Sequence, residues 1–545
     1  MEEFKRIVIV AYRLPFTIRH RNGKMTAQQN SGGLVSAVLS LTERMKNSQS
    51  GTGSTKTVWV GKGDYDAEQM NSLREVKETF ELVPVKIPDH VNEKFYGGFC
   101  NDLIWPLFHY FPSMAVFGQG YYESYKKANQ LFYRELKKII RPGDFIWIHD
   151  YQLFLLPGMV RNDFPDASVS FFLHIPFPSY EVFRIMPDGY QAAILKGMLG
   201  ADLIGFHTHD YAQHFLKSVR RALGYDISLN TVMAEDIYSR ADAFPISIDY
   251  KKFHDTVFLP ETEKYLKKIH KQKRDRMLIF SVDRLDYTKG FLNRLAAFEL
   301  FLERYNSMRG RVVFNMVIVP SRDTIARYQE MKKEIEATVG RINGKYGTLD
   351  WNPIAYQYKS LKFSEMIALY TLSDAGLLTP LRDGMNLVAK EYVAAQHQKH
   401  GMLILSEMAG AAAEMSESVL VNPTDISQMA DAIYNALMMP AEERKGRIEA
   451  MKRRLRDYDV FSWADDILRS VAKVKTDRKS FRVRLINRDI EERIIDAFCN
   501  SSQPVLFLDY DGTLVPIREL PEMATPEDSI ISLTGRLAAI SNVVI

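Results

Sequence analysis

Two cations follow an apolar run near the middle of this 545-residue chain, where they could hold a negatively charged ligand. Met277–Ser281 is predicted to be a buried strand, and Phe291–Phe298 has the apolar periodicity of a helix. Arg284 and Lys289 lie between them, at the carboxyl end of the strand, where open α/β sheets bind ligands. A guanidinium followed by an ammonium is a suitable clamp for a diphosphate. The alternative is an Arg and a Lys on an ordinary solvated loop.

A second strand–turn–helix segment further along the chain favours the functional interpretation. The short strand Leu377–Leu378 runs into an Arg-Asp-Gly turn, and a helix is predicted to start near Met385–Asn386. Gly384 would let the backbone approach a phosphate, which the first amides of the helix would face. Asp383 could accept hydrogen bonds from sugar hydroxyls, and Glu391, about two turns into the helix, could bind a ribose diol. An ordinary turn with Asp as helix cap is the alternative.

Further motifs occur in order along the chain and identify a family. They are Arg13-Leu14-Pro15, Ser31-Gly32-Gly33-Leu34, Trp105-Pro106-Leu107-Phe108-His109-Tyr110, Trp147-Ile148-His149-Asp150-Tyr151, His174-Ile175-Pro176-Phe177-Pro178 and Leu405-Ser406-Glu407-Met408-Ala409-Gly410. With these motifs, roughly residues 5–475 resemble the trehalose-6-phosphate synthases, which are retaining glycosyltransferases of the two-Rossmann-domain type.

The resemblance implies an α/β fold with two Rossmann-like doubly wound domains and an interdomain cleft, the glycosyltransferase-B type. A partial α/β phosphatase-like segment is expected at the carboxyl terminus. The expected domains are an N-terminal acceptor domain (1–248), a C-terminal nucleotide-sugar domain (249–455), a helix that crosses back to the first domain (456–478) and the phosphatase-like segment (490–545).

Strand and helix patterns alternate along the chain, as a doubly wound fold requires. Two helices are predicted at Val35–Met45 and Tyr121–Ile140, and two surface loops at Thr17–Asn30 and Gln49–Lys56. The predicted strands are Arg6–Ala11, Thr57–Val60, Phe145–His149, Ser168–His174, Leu203–Phe206, Leu278–Val282, Val312–Val319, Ala375–Leu378 and Leu403–Leu405.

The resemblance implies an acceptor site for glucose 6-phosphate with basic groups from both domains. Arg13 is expected to bind the phosphate, and Arg322 is expected to close on it from the opposite domain. Tyr96 and Trp105 are expected to contact the acceptor, although aromatic residues at this density are more often core or lid packing. Two cations from different domains on one phosphate would couple acceptor binding to closure of the cleft.

The resemblance also implies the residues that act on the donor, UDP-glucose. His174 is expected to contact the donor glucose, and Asp150 the hydroxyls of the acceptor; His149 is interpreted as structural. Asp383 completes the expected catalytic set with Arg284 and Lys289. The remaining expected donor-binding residues are Gly32, Gly33, Leu361, Asn386, Leu387, Val388 and Glu391.

The implied chemistry is transfer of glucose with retention of configuration, giving α,α-trehalose 6-phosphate and UDP. Negative charge that grows on the leaving diphosphate would be stabilised by Arg284, Lys289 and the amides of Leu387 and Val388. No cofactor or metal is expected in this site. Asp64-Tyr65-Asp66 has the spacing of metal-dependent transferases, but it lies outside every matched motif and is interpreted as surface.

A second signal lies near the end of the sequence. Pro504–Leu508 is an apolar strand that leads into Asp509-Tyr510-Asp511-Gly512-Thr513. This resembles the first motif of haloacid-dehalogenase-type phosphatases, with Asp509 as nucleophile and Asp511 as acid/base around Mg²⁺. The later motifs of that chemistry are missing from the sequence, so a truncated or degenerate phosphatase domain is expected, and Mg²⁺ only with a complete one.

Composition is that of an ordinary globular enzyme of two or three domains. A net charge of +4 is too small to indicate nucleic acid, and no apolar run approaches membrane-spanning length. The basic run 264–276 is interpreted as a solvated helix face. Two distant cysteines and an amino terminus without a secretory signal predict a cytoplasmic protein without disulfides.

Two alternatives to an active synthase remain open: a related transferase with another phosphorylated acceptor, and an inactive regulatory subunit that binds sugar phosphates. The presence of all the expected charged residues argues against both. Ala11-Tyr12 and Ser247 depart from the family pattern. The preferred nucleotide and the oligomeric state stay open; a homo-oligomer is compatible with the sequence.

Overall fold

The chain forms two compact units in the computed structural model, Met1–Arg478 and Lys479–Ile545. The structure describes residues 4–21, 24–29, 56–65, 81–234, 237–321, 326–397, 400–484, 488–517 and 520–545. Gly32, Gly33, Arg322 and the predicted helix Val35–Met45 lie outside these residues, as does the predicted loop Gln49–Lys56 except for its last residue.

The amino-terminal part of the first unit contains a nine-stranded sheet in the order β5-β4-β1-β6-β7-β8-β11-β10-β9. The strands from β5 to β11 in this order pair in parallel, and β10 and β9 add an antiparallel edge. The strands up to this point of the chain are Arg6–Arg13 (β1), Phe16–Arg21 (β2), Lys24–Gln29 (β3), Lys56–Lys62 (β4), Glu81–Val85 (β5), Asp144–His149 (β6), Ser168–Phe172 (β7), Leu203–Phe206 (β8), Asp226–Ser228 (β9), Thr231–Ala234 (β10) and Ile237–Ala243 (β11).

A second, entirely parallel sheet follows, with six strands in the order β14-β13-β12-β15-β16-β17. In both sheets the first three strands run outward from the centre, and the fourth returns beside the first. Ligands bind at the carboxyl ends of strands where the order reverses in this way. The strands are Met277–Arg284 (β12), Val312–Val319 (β13), Ile354–Tyr358 (β14), Ala375–Leu378 (β15), Met402–Ser406 (β16) and Val419–Val421 (β17).

Helices connect the strands and cover both sheets, as parallel strands require. After β5, a π-helix, Glu93–Ile104, lies between two short α-helices. The α-helices of the first unit are Asp89–Asn92 (α1), Trp105–Phe108 (α2), Tyr121–Lys137 (α3), Leu156–Asp163 (α4), Tyr180–Phe183 (α5), Asp188–Met198 (α6), His209–Leu223 (α7), Tyr250–Asp255 (α8), Pro260–Lys273 (α9), Phe291–Arg304 (α10), Ala326–Tyr346 (α11), Phe363–Leu372 (α12), Leu387–Ala394 (α13), Ile426–Met438 (α14), Ala441–Asp457 (α15) and Val460–Arg484 (α16), whose last residues belong to the second unit. Short 3₁₀ turns are Pro112–Met114, Tyr151–Leu153, Thr256–Phe258, Tyr287–Lys289, Asn306–Met308 and Gly410–Ala413.

Alternate residues of β1 pack into two different cores. Val8 and Val10 belong to one hydrophobic cluster, and Ile7 and Ile9 to the other. A strand that is buried on both faces needs a continuous apolar run, which explains the sequence of this segment. Trp463, near the start of α16, donates from Nε1 to the carbonyl of Phe244 and packs its ring against the first sheet.

All nine predicted strands are confirmed, with small differences at their ends. The prediction of a surface loop at Thr17–Asn30 is wrong, because β2 and β3 form an antiparallel hairpin there. The sequence between these strands contains Asn22-Gly23, the dipeptide that most strongly indicates a tight hairpin turn, and this signal favours the hairpin over a loop. The predicted domain limits stay predictions.

The second unit contains two parallel strands, Val505–Phe507 (β18) and Asn542–Val544 (β19), and the α-helices Arg488–Cys499 (α17) and Asp528–Ala538 (α18). A 3₁₀ turn, Pro521–Met523, lies between the strands. The predicted apolar strand before Asp509 is therefore confirmed. In the described part of the chain, no helix is long and apolar enough to cross a membrane.

Candidate functional site

The expected site residues lie at the reversal points of the two sheets. In the first sheet, Arg13 ends β1 and Asp150 follows β6, and these two strands are neighbours. In the second sheet, Arg284 ends β12, and Asp383 lies on the loop after its neighbour β15. The two sheets thus each contribute the edge at which doubly wound folds bind ligands.

A single cavity of about 390 Å³ brings these edges together, a volume typical of small-molecule sites. Its described lining comes from both sheets. Of the expected residues it includes Arg13, Tyr96, Trp105, Asp150, His174, Arg284, Lys289, Asp383, Asn386, Leu387, Val388 and Glu391. Leu361 is partly buried against the hydrophobic core and is not part of the described lining, so its role stays a prediction.

Lys289 is held by a tight turn after β12. Asp286 caps the 3₁₀ turn Tyr287–Lys289 by accepting from the Thr288 amide, 3.0 Å away. Gly290 then turns the chain into α10 with a φ of 67°. A Cβ at that position would lie 2.9 Å from the carbonyl oxygen of Thr379, so glycine is required for both conformation and space. The turn therefore holds Lys289 close to the loop after β15.

Lys289 forms an ion pair with Asp383 across the two loops. The Nζ–Oδ2 distance is 2.6 Å, and both side chains are largely buried. Burial disfavours the charged carboxylate of Asp383, but the nearby charge and hydrogen bond of Lys289 hold its pKa below the ordinary value. Burial likewise opposes the charge on Lys289, yet Asp383 raises the pKa of the ammonium. Both groups are thus charged at neutral pH.

Asn386 starts the helix that faces the same end of the cavity. Its backbone is left-handed (φ 80°), and its side-chain oxygen accepts from the Ala389 amide at 3.1 Å. Its amide nitrogen donates to Asp383 Oδ2 at 3.2 Å. The helix begins as predicted, and Leu387 and Val388 present first-turn amides, which have no acceptor within the helix. This end can therefore bind an anion through two cations and a helix amino terminus.

Glu391 is the fifth residue of α13, so it lies little more than one turn from the helix start, and the prediction of two turns is wrong. It accepts a hydrogen bond of 3.0 Å from the hydroxyl of Tyr370. Burial raises the pKa of the Glu391 carboxyl to about 7, which the Tyr370 hydrogen bond and Lys252 oppose. A carboxylate in such surroundings is costly unless a ligand donates hydrogen bonds to it.

The first sheet builds the opposite end of the cavity from aromatic residues and Arg13. The guanidinium of Arg13 is exposed and donates to the Tyr96 hydroxyl at 3.1 Å. The Tyr96 ring stacks on Tyr12 at 4.4 Å, and Tyr12 in turn donates to Asn92. Trp105 Nε1 donates to Asp286 Oδ1 at 3.4 Å, which links the first sheet's side of the cavity to the turn that carries Lys289.

Asp150 has a positive φ (74°, with ψ 167°), which is uncommon for residues other than glycine and is often found at functional sites. Burial raises the pKa of its carboxyl to about 7, against hydrogen bonds from the Tyr151 and His174 amides and the charge of Arg284. Asp150 and Arg284 both line the cavity, and Asp150 is close enough to Arg284 for that charge to act on its carboxyl group.

His174 is part of a group of neutral imidazoles beside Asp150. Its Nε2 lies 3.1 Å from Nδ1 of His149, and its ring lies 5.4 Å from that of His207. Burial lowers the pKa of His174 to about 3, and it lowers the pKa values of His149 and His207 well below the ordinary value. The group therefore offers neutral hydrogen-bonding nitrogens at neutral pH.

Several residues of the lining were not predicted from the sequence. Each lies beside a predicted site residue in the chain, or on another strand of the first sheet or at its end. Tyr12, Tyr151, Gln152 and Asp283 lie beside Arg13, Asp150 and Arg284 in the chain. Trp59 and His207 come from β4 and the end of β8. Topology alone could have indicated them, since parallel strands end at one edge of the sheet.

The described residues contain no group of three His, Cys, Asp or Glu side chains that could hold a metal ion. Asp509 and Asp511 are both exposed in the second unit, where Thr513 donates to Asp509 at 3.4 Å. Two carboxylates in that part of the chain do not complete a magnesium site, and we derive no step from them. Asp64 forms an exposed ion pair with Lys86, in agreement with its interpretation as surface.

Comparison of the sequence with known proteins identifies the family of the chain. The sequence profile described as glycosyltransferase family 20 matches residues 5–473. A bifunctional trehalose-6-phosphate synthase/phosphatase of Thermoproteus tenax is 41% identical over 98% of this chain and 73% of its own length. The UDP-forming α,α-trehalose-phosphate synthase A of Dictyostelium discoideum is 37% identical over 97% of this chain and 70% of its own.

Solved structures agree with the sequence relatives. A UDP-forming α,α-trehalose-phosphate synthase of Burkholderia xenovorans, in complex with glucose 6-phosphate, superposes with a TM-score of 0.75 at 31% identity over 86% of this chain and all of that one. The Escherichia coli protein bound with UDP-2-fluoroglucose gives a TM-score of 0.74 at 29% identity over 86% of this chain and 98% of that one. The predicted two-Rossmann-domain fold is thereby confirmed, and the chain belongs to glycosyltransferase family 20.

Proposed function

We propose that this chain transfers glucose from UDP-glucose to glucose 6-phosphate, with α,α-trehalose 6-phosphate and UDP as products. One observation carries the proposal: a single cavity joins a cationic edge of the second sheet to an aromatic and basic edge of the first. The relatives named above are UDP-forming synthases, and the solved relatives bind glucose 6-phosphate and a UDP-glucose analogue.

The second sheet provides the leaving-group site. As the bond between glucose C1 and the diphosphate breaks, negative charge grows on the diphosphate and positive charge on the sugar ring. We assign stabilisation of the diphosphate to Arg284, Lys289 and the amides of Leu387 and Val388. Glu391 accepts hydrogen bonds from the ribose hydroxyls. Groups that are fixed before the reaction give the largest electrostatic benefit, because they need no reorganisation.

The first sheet provides the acceptor site. Arg13 binds the phosphate of glucose 6-phosphate, and Tyr96 and Trp105 contact its sugar. Asp150 accepts hydrogen bonds from the sugar hydroxyls. We retain Arg322 as a second phosphate ligand and Gly32 and Gly33 as donor contacts, all as predictions from the sequence. His174 contacts the donor glucose as a neutral hydrogen-bond partner.

The reaction retains configuration without a glycosyl-enzyme intermediate. Each carboxylate in the described lining already has a partner: Asp150 accepts from the His174 amide, Asp283 pairs with Arg294, Asp383 pairs with Lys289, and Glu391 accepts from Tyr370. We therefore assign none of them as a nucleophile towards C1. The acceptor hydroxyl attacks on the face that the phosphate leaves, its oxygen bonds to C1, and its proton passes to a phosphate oxygen of the donor.

We propose that the synthase reaction uses no metal cofactor, since side chains and helix amides can neutralise the diphosphate. Excess EDTA should leave the rate unchanged, and loss of activity that Mg²⁺ restores would contradict this. For the second unit, we propose no phosphatase activity; magnesium-dependent phosphate release from trehalose 6-phosphate would refute that.

The function is tested by measuring UDP release in four mixtures: both substrates, each substrate alone, and UDP-glucose with glucose in place of glucose 6-phosphate. We expect rapid release with both substrates, at most slow hydrolysis with UDP-glucose alone or with glucose, and none with glucose 6-phosphate alone, which contains no UDP. UDP release that does not depend on glucose 6-phosphate would contradict the proposal. If no mixture releases UDP although the protein binds both UDP-glucose and glucose 6-phosphate, the result would favour a regulatory subunit.

A further inference from the structure

A buried arginine outside the expected site connects the loops that hold the diphosphate. Arg294 lies on α10 and has no exposed surface. Its Nη1 donates to Asp283 Oδ2 at 3.0 Å, its Nη2 to the carbonyl of Lys289 at 3.1 Å, and its Nε to Thr379 Oγ1 at 3.2 Å. These acceptors come from the end of β12, the turn after it and the loop after β15.

Asp283 makes a cation necessary at this position. Asp283 lines the cavity directly before Arg284 in the chain, and its side chain is only 4% exposed. Burial raises the pKa of this carboxyl above the ordinary value, while the charges of Arg294 and Lys289 oppose the rise. A buried carboxylate here would repel a diphosphate unless a partner cancels its charge.

Lys289 cannot provide that cancellation alone. Its ammonium already forms the 2.6 Å ion pair with Asp383, and Asp286 is close enough to act on it as well. With Asp283 unpaired, the negative charges around Lys289 would exceed what one ammonium can offset. The ligand would then meet a carboxylate where it needs a cation.

We propose that Arg294 is a positioning residue for the transfer reaction, which cancels the charge of Asp283 so that Lys289 and Arg284 can hold the diphosphate without an opposing unpaired carboxylate beside them. It acts through these residues and does not touch the substrate. The inference rests on the proposed function for its ligand, but it concerns binding of UDP, which can be measured whether or not transfer occurs.

The test measures the dissociation constant of UDP by calorimetry for the full chain and its variants. Arg294→Met should weaken UDP binding at least about 30-fold, since an unpaired buried charge is costly. Asp283→Asn combined with Arg294→Met removes that charge too, and should bring UDP affinity back to within about fivefold of wild type. A role that is only structural predicts no such recovery, because the double variant also lacks the hydrogen bonds to Lys289 and Thr379.

Arg6→Met is the matched control. Arg6 forms a similarly buried ion pair of 2.6 Å with Asp144, but at the amino ends of β1 and β6, away from the cavity. It should lower the melting temperature and leave UDP affinity within about twofold of wild type. If Arg294→Met does not fold, Arg294→Lys replaces it; since it keeps the charge, it should bind UDP far better than Arg294→Gln.

Three results would overturn the inference: unchanged UDP affinity in Arg294→Met, a double variant as weak as the single one, or equal affinities in the Lys and Gln variants. Failure of the proposed function looks different. In that case wild type would bind UDP and show the same dependence on Arg294, yet release no UDP from UDP-glucose with glucose 6-phosphate. Absence of UDP binding by wild type would remove both proposals.

Discussion

At the scale of single residues, the charges in the cavity differ in how far the protein already satisfies them. Lys289 has Asp383 as a partner and Asp283 has Arg294. Arg284 is exposed at the end of β12, and its charge acts on Asp150 across the cavity. Within the part of the chain that the structure describes, no ion pair competes for Arg284, so a diphosphate should gain most from this cation.

Arg284→Ala should lower kcat by about 100-fold or more, because loss of a preorganised group opposite developing charge has an effect of this size. Lys289→Ala should lower it similarly and also leave Asp383 unpaired. Arg276→Ala is the control, since Arg276 lies just before the same strand at its opposite end and bonds to Asp350. Steady-state kinetics and circular dichroism would check the prediction; near-normal turnover in Arg284→Ala would contradict the clamp.

The pKa of Asp150 predicts how acceptor use depends on pH. Burial raises this pKa to about 7, so the carboxyl group is mostly protonated at pH 6 and mostly charged at pH 8. Because the charged form accepts hydrogen bonds from the sugar, kcat/KM for glucose 6-phosphate should fall as the pH drops through 7. Asp150→Asn should lose this part of the pH profile. If the residual activity of the variant keeps the wild-type profile, the assignment is contradicted.

At the scale of secondary-structure elements, strand ends and helix starts position the site, and these were the most predictable features. Apolar runs identified nine strands, and Asn386 was recognised at the start of α13. The β2–β3 hairpin has no apolar run that would predict its strands, because both strands are largely polar. Arg294 could not be assigned from the sequence, since its three acceptors meet only when β12 and β15 lie side by side.

Asn386 tests whether the start of α13 supports the donor site. Asn386→Ala should lose about 2 kcal/mol of unfolding free energy, from the helix cap and from the left-handed backbone. Asn386→Gly tolerates that backbone and should lose less. Both variants lack the hydrogen bond to Asp383, so both should raise KM for UDP-glucose to a similar extent.

Urea unfolding and initial rates would separate these effects. Asp425→Ala is the control, because Asp425 caps α14 in the same way, with a 2.8 Å bond from the Gln428 amide. It should cost about 1 kcal/mol and leave KM unchanged. A KM effect in Asn386→Ala that is absent from Asn386→Gly would show that backbone strain, and not the bond to Asp383, is responsible.

At the scale of the whole molecule, the parts of the chain that contain the two sheets pack so closely at Gly384 that a larger side chain does not fit. A Cβ at Gly384 would lie 2.4 Å from the carbonyl oxygen of His174, so the loop that carries Asp383 packs directly against the segment that carries His174. Arg382 also lies over the ring of Tyr110 at 4.0 Å, and the Tyr211 hydroxyl donates to the carbonyl of Asp383. Packing of the two parts thus decides how donor and acceptor are aligned.

Gly384→Ala should therefore push the two sides of the cavity apart and lower kcat/KM by about tenfold or more, since small misplacements of reacting groups are expensive. Gly340→Ala in α11 is the control, because a Cβ there meets no other atom within 4 Å. Alanine in a helix should leave the rate unchanged and slightly raise stability. Equal rates in the two variants would contradict the idea that this contact sets the alignment.

The most direct test of the account is the structure of the product. Donor labelled with ¹³C at glucose C1 would be incubated with glucose 6-phosphate, and the product examined by NMR. We predict a disaccharide phosphate in which both anomeric carbons are α-linked, formed together with one UDP per transfer. A β-configured labelled carbon, or a label found only in free glucose, would contradict the proposed transfer in this cavity.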